Sequence, residues 1–299
     1  MNKIKVIMID AFKPDYLRYA PYLKSLTEKY QHGELEMTPG HWGAVQVLFE
    51  GKSDILALFY KDKDSLKFLR NFLWLKYFGK FGKFAIDIIF NGIRLLKGYE
   101  LFRIRDMPLD IISKFDVSVK RHFAKKKNID FIYFGELDKL AHKYGIDNFR
   151  TKKAIEIIDR KISEMKFDLI FSDHGMINVS KIISVPITSD CFIDSDMARY
   201  WGEKEELNKI KEKLPLEFGE ILDWENKKYG QLIFMAKTGA LIFPNFWEKK
   251  PSKAMHGYDG KHKDMKAFYI IRELGYKKDL KVNELYSIIR NKYFNKIIF

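Results

Sequence analysis

The stretch FDLIFSDHGM, residues 167–176, constrains the chain more than any other. Phe167, Leu169, Ile170 and Phe171 make a strand that other elements must cover, and it stops at once on Asp173-His174-Gly175. A buried strand that ends in a carboxylate beside an imidazole delivers two ligating groups to a sheet edge. Further short apolar runs follow the same plan. Ile4–Ile9 runs into Asp10, and Phe131–Phe134 is followed by Asp138 and His142, while Ala240–Phe243 and Ala267–Ile271 are further strands. Between Phe134 and Leu169 lies RTKKAIEIIDRKISEMK, where Ala154, Ile157, Ile158, Ile162 and Met165 recur at helical spacing. Strand, helix and strand then form a crossover unit, and such units present their functional groups at strand C-termini. The expected fold class is α/β, with a mostly parallel central sheet flanked by helices.

No repeat, low-complexity tract or linker divides the 299 residues, which read as a single domain carrying two inserted cap segments, 53–128 and 187–239. The lone cysteine, Cys191, excludes an internal disulfide. The opening MNKIKVIMIDAF enters a strand pattern without the charged and apolar regions of a secretory signal, so a cytoplasmic protein is expected. A net charge of +14 favours anionic partners, although no recognised nucleic-acid motif accompanies it. Residues 66–98, LKFLRNFLWLKYFGKFGKFAIDIIFNGIRLLKG, interleave aromatic and basic side chains. They fit either a peripheral membrane contact or a pair of cap helices packed on the core with solvated lysines.

The chemistry concentrates beside strand ends. Asp10, Asp173 and His174 end strands; Asp138 and His142 stand four residues apart, on one face of a helical turn; His256 lies in AMHGYDG, just ahead of an apolar strand. Carboxylates gathered without cations would repel one another and hold their protons. Mixed Asp/His sets suit Zn2+, and two such sets suit a two-metal centre. A nucleophile can come from EMTPGHWGAVQVLFEGK, in which Thr38 has an N-cap side chain, Pro39 suits the first helical position and Gly51 the far end. A plain helix cap is the competing reading of Thr38. A basic module that binds nucleic acid or a membrane surface is the alternative of another class.

VIMIDAFKPDYL, GELDKLAHKYG, AIEIIDRKI leading into DLIFSDHGM, and HGYDGKHKDMKAFYI together resemble the alkaline phosphatase superfamily, in its type I phosphodiesterase/nucleotide pyrophosphatase branch. The resemblance implies two divalent cations, Zn2+ by family. Asp10, Asp173 and His174 would hold one, together with the Thr38 oxygen, and Asp138, His142 and His256 would hold the other. It implies a phosphoric ester hydrolase that cleaves phosphodiester or pyrophosphate bonds of a phosphorylated small molecule, with Thr38 attacking phosphorus in line; a membrane contact through 66–98 would instead bring the site to a lipid-linked substrate. A phosphomonoesterase or phosphomutase of the same superfamily would use nearly the same ligands. His41, at the spacing from Gly51 that the family gives its nucleophile, reads as a substrate contact. Arg199, in IDSDMARYWG, reads either as another such contact or as packing.

Overall fold

The computed structural model describes residues 4–37, 71–78, 129–223, 230–246 and 248–289, with isolated positions in 81–89 and at 227 and 291. Thr38, His41 and most of the 53–128 segment lie outside the described residues.

A six-stranded sheet organises the molecule. Its strands are β1 (Ile4–Ile9), β2 (Tyr30–Glu36), β3 (Ile129–Phe134), β4 (Leu169–Phe171), β13 (Ala267–Leu274) and β14 (Leu280–Lys281), in the order β14-β2-β13-β4-β1-β3. β1 pairs in parallel with β3 (Ile9 opposite Phe134) and with β4 (Met8 opposite Phe171). β13 runs antiparallel to both β4 and β2, and β14 is parallel to β2. Five strands therefore share one direction and only β13 opposes them, so the sheet is mostly parallel. β13 is reversed because its chain starts at the edge where the others finish.

Among the described residues four helices dress this sheet: α1 (Pro21–Thr27), α2 (Glu136–Tyr144), α3 (Phe149–Ser163) and, near the C-terminus, α5 (Val282–Ile289). On α3 the buried stripe is Thr151, Ala154, Ile155, Ile158, Asp159 and Ile162. Ile155 thus holds the core position expected of Ile157, while Met165 packs at the cluster's margin. The stripe meets Ile7, Ile9, Phe12, Leu23, Ile170 and Phe268 in the main core. A polar residue in that stripe has a specific job. Both carboxylate oxygens of Asp159 accept backbone N–H groups of α1, from Leu23 at 2.8 Å and Tyr22 at 3.0 Å. They satisfy two donors that a helix N-terminus leaves without intrahelical partners.

The segment expected as an insertion at 187–239 contains regular structure. β7 (Cys191–Ile193), β8 (Met197–Tyr200), β9 (Gly219–Leu222) and β10 (Leu232–Ala236) form a second sheet in the order β7-β8-β10-β9, with α4 (Lys204–Glu212) beside them. Two small pairs complete the described strands: β6 (Lys181–Ile183) with β11 (Ala240–Ile242), parallel, and β5 (Ile177–Asn178) with β12 (Ala254–Met255), antiparallel. The expected strand Ala240–Phe243 therefore belongs to a side pair, outside the main sheet.

Replacing Asp159 by Ala strands two N–H groups in a dry environment and is expected to cost about 2–3 kcal/mol, read from urea unfolding.

Candidate metal centre

The parallel register of β1, β3 and β4 brings three strand ends to one edge. Asp10 leaves β1, Asp173 and His174 lie just beyond β4, and α2, which begins after β3, carries Asp138 in its first turn and His142 in its last. His256 reaches the same place from the loop after β12. The chain at Ala11 turns with φ 59°, a left-handed conformation that costs a non-glycine residue about 1–2 kcal/mol. That turn aims the Ala11 N–H at Asp173 Oδ1, 3.3 Å away.

Two groups of ligand atoms result, Asp10/Asp173/His174 and Asp138/His174/His256, each with its atoms within 4.8 Å of one another. His174 Nε2 is 3.2 Å from Asp10 Oδ1 and 3.5 Å from Asp173 Oδ2. Asp138 Oδ1 is 3.2 Å from His142 Nε2 and 3.7 Å from His256 Nε2. Tetrahedral ligands at Zn–N and Zn–O lengths of about 2.0–2.2 Å stand about 3.3–3.6 Å apart, so the spacing fits cations of that size. All six ligand candidates expected from the sequence are brought together. His174 lies centrally, its ring stacked on that of His256 at 3.6 Å and 4°.

Tautomers support the same fit. His142 Nδ1 lies 2.8 Å from the Ala254 carbonyl and His174 Nδ1 lies 2.9 Å from the Gly175 carbonyl. A carbonyl only accepts, so each ring carries hydrogen on Nδ1 and turns Nε2 towards the carboxylates, as metal-ligating histidines do.

Electrostatically, the metal-free site is overloaded with negative charge. Burial and then the Asp138 charge raise the Asp10 carboxyl, and burial and then Asp10 hold Asp173 well above the usual carboxylate range. Burial alone would lower His174, but Asp173, Asp10 and Asp138 outweigh it and push the imidazole up to about 10. Protons thus occupy the role a divalent cation would take.

Tyr133, on β3, was not anticipated. Its hydroxyl donates to Asp10 Oδ2, and burial followed by the Asp10 charge raises its own pKa well above the ordinary tyrosine value. The signal was available in FIYF, since a phenol in a buried strand needs a partner. Arg199 stands apart from the cluster. It is buried on β8, with its guanidinium 3.8 Å from Asp194 Oδ2 and 4.8 Å over the Phe192 ring. Although Thr38 is outside the described residues, Met37 before it is buried, and its carbonyl would lie 1.5 Å from any Cβ added at Gly260.

No family model matches the sequence, and no curated protein does. Solved structures do. The chain superposes on murine ectonucleotide pyrophosphatase/phosphodiesterase 5 over 97% of its own length and 94% of that chain, with TM-score 0.61 and 15% identity. The human protein of the same name gives TM-score 0.63 and 18% identity at the same coverage. The fold is theirs. The murine protein is also solved as an inactive form in complex with AMP.

Two outcomes are expected. Tyr133→Phe should weaken uptake of added Zn2+ by about 10–100-fold, measured by calorimetric titration, because the hydroxyl that orients Asp10 is gone. The metal-free protein should lose stability as pH rises. Asp10, Asp173 and His174 all bind protons more tightly folded than unfolded, so their contribution is complete near the ordinary Asp value of 3.8 and fades towards about 10. Melting temperatures in chelator across that range should fall, and Zn2+ should flatten the slope.

Proposed function

We propose that this chain is a metal-dependent phosphoric ester hydrolase acting on phosphodiester or pyrophosphate bonds. The observation that carries this reading is the convergence of six candidate ligands, from separate segments, on one sheet edge, with neighbouring Asp and His atoms 3.2–3.7 Å apart. The fold shared with the ectonucleotide pyrophosphatase/phosphodiesterases supports it, and the AMP complex of the murine protein supports a nucleotide-like substrate.

Asp10, Asp173 and His174 would hold one divalent cation, and Asp138, His142 and His256 a second; the Asp/His donor set favours Zn2+. Such ions supply charge that neutralises phosphoryl oxygens and eases loss of a hydroxyl proton. The rest falls to the chain. Thr38 is the first hydroxyl residue after β2, whose C-terminal end shares the ligand-bearing edge with β1, β3 and β4. Its Oγ1 would form a bond to phosphorus as the bond to the leaving oxygen breaks, and water would then break the threonine–phosphorus bond. His142 and His174 keep Nδ1–H on backbone carbonyls, so their Nε2 atoms stay aimed into the site. Tyr133 and the Ala11 N–H hold the Asp10 and Asp173 carboxylates in place.

The test compares a chromogenic phosphodiester with the matching monoester on metal-stripped protein to which zinc is restored. Zinc-dependent cleavage of the diester is expected, and Asp173→Ala or Thr38→Ala should lower kcat by about a thousandfold or more. Cleavage that survives both chelation and Asp173→Ala would overturn the reading. Preference for the monoester would keep the centre and reassign the chain to the phosphatases.

A further inference from the structure

Half of the large exposed apolar side chains cluster in one short segment. Among the described residues twelve such side chains are exposed, and six of them are Trp74, Tyr77, Phe78, Phe81, Phe84 and Ile88, each between 56% and 75% exposed. In the sequence they recur at intervals of three and four residues, and the first three belong to a short 3-10 helix, Leu73–Phe78. Two of them already order each other: the Trp74 and Phe78 rings meet edge to face at 5.7 Å. Water-facing aromatics in such number are the mark of a surface that another phase or molecule covers.

Charge identifies the cover. Residues 66–98 hold seven Lys and Arg against one acidic residue, Asp87. A second basic stretch, with exposed Lys249, Lys250 and Lys253, comes from a different part of the chain, and its Lys249 Nζ lies 5.4 Å from the centre of the Tyr77 ring. Trp, Tyr and Phe suit the interfacial layer of a bilayer, and lysines beside them suit anionic headgroups. Among the described residues no helix is long and apolar enough to cross a membrane, so the contact would be made by a face.

We propose that the exposed apolar side chains Trp74, Tyr77, Phe78, Phe81, Phe84 and Ile88, with Lys249 beside Tyr77, dock the protein on an anionic lipid surface. Lys249 and His256 are seven positions apart in the chain, so even fully extended backbone separates them by at most about 25 Å. Lys249, at one margin of the docked face, would thus lie within that distance of His256. Docking rests on exposure and charge alone and stands whether or not the hydrolase reading does.

The full chain is spun with vesicles of phosphatidylcholine, alone or mixed with phosphatidylglycerol. Binding is expected to the mixed vesicles only, weakening as salt is raised. The double variant Phe78→Asp/Phe81→Asp should lose at least about tenfold in affinity while its melting temperature stays unchanged. Lys249→Glu/Lys250→Glu should weaken binding to mixed vesicles without altering the melt. Absence of binding to mixed vesicles, or equal binding by the aspartate variant, overturns the proposal. Concentration-dependent self-association without lipid, abolished by the same variant, would also overturn it and assign the face to a second copy of the chain.

Discussion

Crowded carboxylates at one sheet edge are the constraint around which the rest is arranged. Parallel pairing leaves no freedom here: with Ile9 beside Phe134 and Met8 beside Phe171, the residues that follow β1, β3 and β4 must emerge together. Burial and then the charge of Asp138 strengthen the hold of Asp10 on its proton, burial and then Asp10 do the same at Asp173, and positive charge relieves both. His174 sits between them and supplies some when protonated. Its stacking on His256 at 3.6 Å sets a limit, because two cationic rings in that arrangement would repel. Neutral imidazoles with Nε2 turned to a cation would satisfy the stack and the carboxylates together.

Such a site holds its shape only if the loops bearing the ligands are tied to one another. Ser172 does much of this. Its hydroxyl donates to the Phe12 carbonyl at 2.6 Å and accepts from the Phe268 N–H at 2.8 Å, joining the loop after β1, the end of β4 and the start of β13. Buried Lys13 adds an ion pair to Asp264 at 2.5 Å, linking the loop after Asp10 to the loop after His256. Gly175 permits a close approach, since a Cβ there would lie 2.0 Å from the Asp264 carbonyl. Removing one partner of a buried pair such as Lys13–Asp264 leaves the other charge without compensation, a larger loss than the pair's own net worth.

How much of this was legible depends on the range of the interaction. Asp10, Asp173 and His174 stand out because apolar runs end on them, and Asp138 and His142 because i and i+4 share a helix face. His256 differed visibly from the others by preceding its strand, which is the trace in sequence of β13's reversal. Pairing between distant partners was not legible: Lys13 with Asp264, Tyr133 with Asp10 and Asp159 with the start of α1 are contacts that local pattern does not encode. β2 escaped for another reason. YQHGELE has few fully buried side chains, and its Gly33 allows the backbone of Lys278 to come so close that a Cβ would lie 2.1 Å from its carbonyl. Nor did the 187–239 segment look like a sheet, because its strands are three to five residues long and each too short to show a period.

That second sheet bears on the site through one tyrosine. On β8, Ala198 and Tyr200 point into a core cluster that also contains Met255 and Tyr258, the residues just before and two after His256. Tyr258 donates its hydroxyl to the Ala240 carbonyl at 2.9 Å, so the loop carrying His256 is pinned to β11 and to the lobe behind it. Arg199 alternates to the opposite face, where Asp194 and the Phe192 ring receive it and burial draws its pKa down to about 10, against the opposing pull of Asp194 and Asp196. A guanidinium so enclosed is expensive unless its neighbours are fixed. Among the described residues those neighbours are fixed by the turn itself: the Asp194 N–H donates to the Met197 carbonyl at 2.7 Å, and the Asp196 carbonyl accepts from Ala236 at 2.8 Å. The buried arginine thus sits on a turn that backbone hydrogen bonds already hold, while on the other face of β8 the lobe meets the loop carrying His256 through Tyr258.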